Sequence, residues 1–225
     1  VEYCQKKGLP ILPGCVTASE IEAGRRMGLR LFKFFPSEQL GGVKTIKELC
    51  GPYRDIQFVP TSGINLQNLP AYMCCEGVAA VGGSFMAPAA LVAAEDWAGI
   101  TALCRTAVNT ALGFHLKHVG LNAGDEEKGA AIARRFAEIF GMPYLPGNRS
   151  DFAGTVLESC KVQFPGEKGH IAIGTYSVER AVAYLQRKNV PIRQEFLNVD
   201  PQGRMIAAYL EEEIGGFAVH LLRSN

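Results

Sequence analysis

The sequence lacks most of what would mark a specialised environment. Its 225 residues include seven cysteines, an odd number with no C-x-x-C pair. Neither a disulfide framework nor a cysteine-built zinc site is therefore indicated, and the thiols read as reduced, in a cytoplasmic protein. No apolar run approaches the roughly 18 residues of a membrane span, and no basic-then-apolar leader is present, so no membrane partner is expected. Charge of either sign is not in excess: 20% charged residues and a net charge of +1 give no reason to expect nucleic acid or an anionic surface as partner. An initiator methionine is also missing. Val1 to Gly8 reads as the last turns of a helix, with Pro10 shortly after, so the expectation is a fragment of a longer protein.

What is present begins with a largely apolar run from Leu29 to Phe35, which carries Arg30 near its start and is broken at its centre by one cation, Lys33. In a strand Lys33 points the opposite way from Phe32 and Phe34, and the run is apolar enough to be buried on both faces. Burial disfavours an ammonium, and a neutral amine is what attack on a ketone to form a Schiff base requires. The alternative for such a lysine is a snorkelling or carboxylate-paired side chain.

Similar short apolar runs recur at Leu9 to Leu12, Ile56 to Val59 and Val78 to Val81, with helix-compatible stretches between them. One of these opens on Thr17-Ala18-Ser19-Glu20, which has capping-box spacing; Val43 to Leu49 and Leu66 to Met73 are the others. Strands alternating with short helices predict βαβ units and a parallel sheet. Each strand leads into a loop rich in Gly, Pro or hydroxyls: Pro13-Gly14, Pro36-Ser37, Pro60-Thr61-Ser62-Gly63 and Gly82-Gly83-Ser84. In parallel α/β folds function gathers at these C-terminal strand ends. The last two loops suit an anion, although Gly-Gly-Ser after a strand also reads simply as a tight turn.

Those motifs, together with Phe32-Lys33-Phe34-Phe35-Pro36 and Gly41-Gly42, resemble the C-terminal half of the 2-keto-3-deoxy-6-phosphogluconate aldolases, a family that includes 4-hydroxy-2-oxoglutarate aldolases. The resemblance runs over about residues 1 to 97. It implies a (β/α)8 barrel of class I aldolase type, here only its second half; a carbon–carbon lyase giving pyruvate from a 2-oxo acid substrate without cofactor; and a trimer. By the same resemblance Lys33 is the Schiff-base lysine, and Pro13, Thr61, Ser62, Gly63, Gly82, Gly83 and Ser84 line the substrate. The family reads Thr-Gly-Gly where this chain has Thr61-Ser62-Gly63. Its acid/base glutamate and carboxylate-binding arginine come from strands that would precede Val1, and none of Glu20, Glu38 and Glu48 matches that glutamate by motif.

An alanine- and leucine-rich helix, Asp96 to about Thr110, is expected to close this first domain, residues 1–112, with a second domain over 113–225. All four histidines lie in the latter. It contains an internal duplication. His118-Val119-Gly120-Leu121-Asn122, a helix from Glu126 to Phe140 and a proline at 143 are echoed by His170-Ile171-Ala172-Ile173-Gly174, a helix from Val178 to Lys188 and a proline at 191. Gly154-x-x-x-Glu158 is answered by Gly216-x-x-x-His220. The prediction is an α+β domain of two βαβββ modules that place His118, Glu158, His170 and His220 at corresponding positions. This pattern resembles the vicinal-oxygen-chelate superfamily, which includes glyoxalase I, and the resemblance implies a divalent metal held by those four residues. Their alternative is a hydrogen-bonded, metal-free cluster. The run Glu211-Glu212-Glu213 reads as a solvated turn or as a substitute ligand.

Overall fold

The computed structural model describes residues 1–224, and no helix among them is long and apolar enough to cross a membrane. The chain forms two compact units, Val1–Ala111 and a second from Leu112 onward.

The first unit runs α1 (Glu2–Lys6), α2 (Ala18–Arg26), β1 (Leu31–Phe34), α3 (Gly42–Cys50), β2 (Gln57–Pro60), α4 (Leu69–Met73), α5 (Ala89–Ala93) and most of α6 (Trp97–Leu112). The capping box at α2 forms as expected: Thr17 Oγ1 accepts from the Glu20 amide, and Glu20 Oε2 accepts from the Thr17 amide at 2.9 Å. β1 and β2 pair in parallel, Lys33 opposite Val59. On the outer side of β1, Lys33 N donates to Pro13 O and Cys15 N to Lys33 O, at 2.8 and 3.0 Å. On the outer side of β2, Phe58 N donates to Gly77 O, Ala79 N to Phe58 O and Gly82 N to Pro60 O. Four parallel segments therefore lie side by side, as in half of an aldolase-type barrel, and α2 and α3 bury Ile21 and Ile46 completely.

Two expectations fail here. Leu9–Leu12 and Val78–Val81 are not regular strands; the outer segments join the sheet through isolated bridges, Gly14 to Lys33, Phe58 to Val78 and Thr61 to Gly82. Pro10 and Pro13 cannot donate to a ladder, and each outer segment is bonded on one side only. The β1 run is also buried on one face alone. Phe32, Phe34 and Phe58 are fully buried, with Phe34 edge-on to Phe58 at 5.7 Å, but Leu31 and Phe35 are 40% and 53% exposed. A glycine at 24 lets α2 sit directly on the Phe32 ring, which a Cβ there would overlap. On the opposite face Lys33, Val59 and Thr61 are only half-buried, which is what an unclosed half-barrel presents.

The second unit is one eight-stranded mixed sheet. Its elements are β3 (His115–Asn122), α7 (Glu126–Phe140), β4 (Tyr144–Leu145), β5 (Ser150–Ala153), β6 (Leu157–Cys160), β7 (Gly169–Thr175), α8 (Val178–Gln186), β8 (Asn198–Val199), β9 (Met205–Ile214) and β10 (Phe217–Arg223). The spatial order β4-β5-β6-β3-β7-β10-β9-β8 is two copies of one βαβββ module related about the β3–β7 seam. Within each copy the first and last strands are parallel, β3 with β6 and β7 with β10, and the two copies meet antiparallel. Asp125 and Ser177 cap their helices by accepting from Lys128 N and Arg180 N, and Gly141 ends α7 in the left-handed conformation. Val178, Ala181 and Val182 of α8 pack on Leu210 and Leu221 in the core of the second module. Glu211, Glu212 and Glu213 are not a turn; they extend β9 beyond the core, exposed, and Glu213 accepts from the Glu167 amide.

Candidate functional site

The register of the second unit's sheet brings the four predicted ligands together in two rows. Across β3, β7 and β10 the row reads His118, Ala172, His220; across β6, β3 and β7 it reads Glu158, Gly120, His170. Directly opposed residues share a face, so large polar side chains stand on one side of the sheet separated by the smallest residues. Gly120 is obligatory: a Cβ there would overlap the His170 ring. All four polar residues are buried, His170 to 2% exposure and His220 to 6%.

His118 Nε2 and His170 Nε2 lie 3.1 Å apart, and both meet Glu158 Oε2, at 3.1 and 3.2 Å. Ser150 Oγ donates to Glu158 Oε1 at 2.6 Å. Burial pushes the Glu158 carboxyl up, but hydrogen bonds from His118, His170 and Ser150 outweigh it and hold Glu158 well below the usual carboxylate range. His220 is different. Neither of its ring nitrogens has a hydrogen-bond partner, and burial, then the neighbouring His170 and His118, lower its pKa to about 3. Its ring stacks on Tyr209 at 4.6 Å and 10°. His170 Nδ1 is also unpartnered. Buried polar atoms are rarely left so. One ligand atom from each of His118, His170 and His220 lies within 4.8 Å of the others. Three imidazoles, two of them with orphaned nitrogens, and an adjacent carboxylate fit a divalent transition metal, and these donors suit Zn, Ni, Co, Mn or Fe(II). His115, the fourth histidine, is exposed at the start of β3 and bonds to Gly113 O.

A cavity of about 760 Å³ opens beside His220 and Tyr209, walled by the loop at 163–166 and by residues 193–198. Sequence reasoning missed this wall. Asn122 builds it, with Oδ1 accepting from Phe164 N and Nδ2 donating to Phe164 O and Gly166 O. Its position at the end of the His-x-x-x-Asn strand is the signal that points to it.

In the first unit the predicted residues gather at the C-terminal ends of the four segments. Pro13 bonds to the Lys33 backbone, the Ser37 amide donates to Thr61 O, and a Cβ on Gly82 would press on the Thr61 side chain at 3.1 Å. Thr61 is two residues beyond Val59, the partner of Lys33, and so continues the same face. Lys33 is half-buried rather than buried, and its Nζ lies 5.0 Å from the Phe35 ring centroid. Ser62, where the resemblance calls for glycine, holds φ at +83°, and its Oγ reaches Gln39 Oε1 at 3.3 Å. Gly63, also at positive φ, lies under the Glu38 side chain. Gly83 and Ser84 lead into a short 3₁₀ turn. Next to this loop set the phenol of Tyr72 bridges Ser37 Oγ, at 2.8 Å, and Glu38 Oε1. Burial, then Glu38, raises the Tyr72 pKa to about 12.

Comparison with known proteins divides along the same line. Residues 1–103 match the family model described as "Aldolase: KDPG and KHG aldolase". A 2-dehydro-3-deoxy-phosphogluconate aldolase of Treponema pallidum is 46% identical over 103 residues, covering 46% of this chain and 49% of the relative. Among solved structures, the Legionella pneumophila KDPG aldolase, captured with pyruvate as a covalent carbinolamine, is 40% identical with a TM-score of 0.44 over 44% of this chain and 48% of that one. A methylmalonyl-CoA epimerase in complex with methylmalonyl-CoA is similar at 16% identity and TM-score 0.36, over 49% of this chain and 94% of that one. The chain spans about half the length of the curated relatives it matches.

Proposed function

We propose that the first unit carries the Schiff-base half of a pyruvate-forming lyase. Lys33 Nζ adds to the 2-oxo carbon of a 4-hydroxy-2-oxo or 2-keto-3-deoxy acid, and water leaves to give an iminium. Cleavage of the bond between carbons 3 and 4 sends its electron pair into that iminium, the 4-hydroxyl gives up its proton, and an aldehyde departs. The resulting enamine is protonated at carbon 3 and hydrolysed to pyruvate, freeing Lys33. The reading rests on the family match over residues 1–103, which includes Lys33. Thr61, Ser62, Gly63, Gly82, Gly83 and Ser84, with Pro13, are the residues proposed to line the far end of the substrate. General acid–base catalysis contributes about 10²–10⁴ in rate, and no carboxylate of this unit is assigned to it.

The test is continuous detection of pyruvate from 2-keto-3-deoxy-6-phosphogluconate and from 4-hydroxy-2-oxoglutarate, using this chain and the full translation product of its gene, each with and without Lys33→Arg. Pyruvate formation abolished by the substitution supports the proposal; formation that survives it, or none in any form of the protein, refutes it. The same preparations report the expected trimer by light scattering.

A second reading is favoured by one observation, the buried His220 with both nitrogens orphaned. The second unit is proposed to bind a divalent metal through His118, His170 and His220, with Glu158 as a fourth ligand. Such a metal supplies Lewis-acid polarisation of a ligand oxygen. Tyr209 fixes the plane of His220, Ser150 orients Glu158, and Gly120 leaves space for His170.

A further inference from the structure

The cavity beside the histidines is lined by polar groups that favour one kind of ligand. Tyr209 lines it and stacks on His220, which also lines it and whose two ring nitrogens are buried without a hydrogen-bond partner. Arg149 is a third lining residue, its guanidinium carbon 4.7 Å from the Phe164 ring centre; Phe164 in turn lies 5.6 Å from His170. Among the described residues that line the cavity, two of the other three charged groups, Arg193 and Glu213, have partners. Arg193 donates to Glu211 O and lies over Phe196, and Glu213 accepts from the Glu167 amide. Glu195 is exposed at the rim. Arg149 is exposed too, but it has a ring beneath it and, among the described residues, no ion-pair partner, leaving its planar fork of donors for a ligand. The remaining walls include an apolar set: Phe164, Pro165, Phe196 and Leu197.

We infer that this cavity takes an elongated oxo acid with a carboxylate at each end, the far carboxylate held by Arg149 and the oxo-acid end directed to His220 and Tyr209. The inference deepens the metal-binding reading of the second unit and rests on it for the oxo-acid end, whereas the Arg149 end is read independently. A ligand met by a guanidinium, by a phenol and imidazole, and by apolar walls is acceptor-rich at its termini and aliphatic in its middle. An apolar lining with a few convergent polar groups is the usual construction of a small-molecule site, and this volume is ample for a chain of about five carbons.

The experiment is titration calorimetry of the whole chain with 2-oxoglutarate and with 2-oxopentanoate, which has the same carbon chain and a methyl in place of the far carboxylate. Both are measured on the parent and on Arg149→Gln, with and without added Co²⁺. The inference predicts that the parent prefers 2-oxoglutarate by tenfold or more, the worth of a charge-assisted hydrogen-bonded pair, and that Arg149→Gln brings the two ligands to within about twofold of each other. No preference in the parent, a preference that survives Arg149→Gln, or no saturable binding of 2-oxoglutarate overturns it. Co²⁺ binding is read separately from its visible absorption, with His118→Ala as control. Absent Co²⁺ binding sinks the metal reading and, with it, the placement of the oxo-acid end, whereas the Arg149 end is scored separately by the ligand preference in metal-free samples.

Discussion

Gly120 is the position where the geometry of the histidine cluster makes its sharpest demand. Replacing it with alanine puts a methyl against the His170 ring, which cannot swing aside: Glu158 and His118 hold it by Nε2, and the rings of Phe164 and His220 lie at 5.6 and 5.1 Å. Overpacking of this kind costs about 1–3 kcal/mol. For a domain of this size that corresponds to a fall of roughly 5–15 °C in the melting temperature. Scanning calorimetry on a double-mutant cycle isolates the cause. Gly120→Ala is measured in the parent and in a His170→Ala background, where the ring is gone and the methyl has space. The expected result is a loss of about 2 kcal/mol in the first and less than about 0.5 kcal/mol in the second, a coupling typical of residues in contact. Equal losses in both backgrounds, or no loss in either, would refute the reasoning that Gly120 exists to admit His170.

Other expectations follow from the same contacts. In chelator-treated protein His220 folds neutral with its pKa lowered to about 3 from an ordinary 6.5. Its contribution to stability is therefore complete above about pH 6.5 and declines as pH falls towards 3, at up to about 1.4 kcal/mol per pH unit. His220→Phe removes that part of the acid dependence, as urea midpoints across pH 7 to 4 will show; an unaltered profile contradicts it. Ser62→Gly relieves an L-residue held at positive φ and raises the urea midpoint of the first unit by an equivalent of about 1 kcal/mol; a lower midpoint would show that the Gln39 contact matters more. Tyr72→Phe strips the buried Ser37 hydroxyl of its partner and destabilises the first unit by about 1–3 kcal/mol in the same assay, and a neutral effect would mean that Ser37 finds another acceptor.

Much of the fold was legible because its signals are periodic or local. The capping box at Thr17, the α7 helix and the paired strands that carry His118 and His170 each declare themselves within a few residues, and the duplication predicts the two-module sheet. The convergence of His118, Glu158, His170 and His220 follows from that symmetry. What escaped depends on the third dimension. Whether the Leu29 to Phe35 run is covered on one face or two is decided by what packs on it, and no local pattern encodes that. Lys33 is therefore half-buried where full burial is expected from the run alone. Prolines at 10 and 13 are visible in the sequence, yet the apolar content around them suggests a strand that their missing donors do not allow. Arg149 has no local signature. It is an isolated arginine just before β5, and it gains meaning only from the Phe164 ring beneath it, a residue on a separate loop.

The central claim is that Lys33 is the Schiff-base lysine, and borohydride trapping with pyruvate followed by peptide mapping tests it most directly. The account predicts one reduced pyruvate adduct, on the peptide that contains Lys33, lost in Lys33→Arg. Labelling spread over other lysines, or no adduct on Lys33 in either this chain or its full-length gene product, would contradict it.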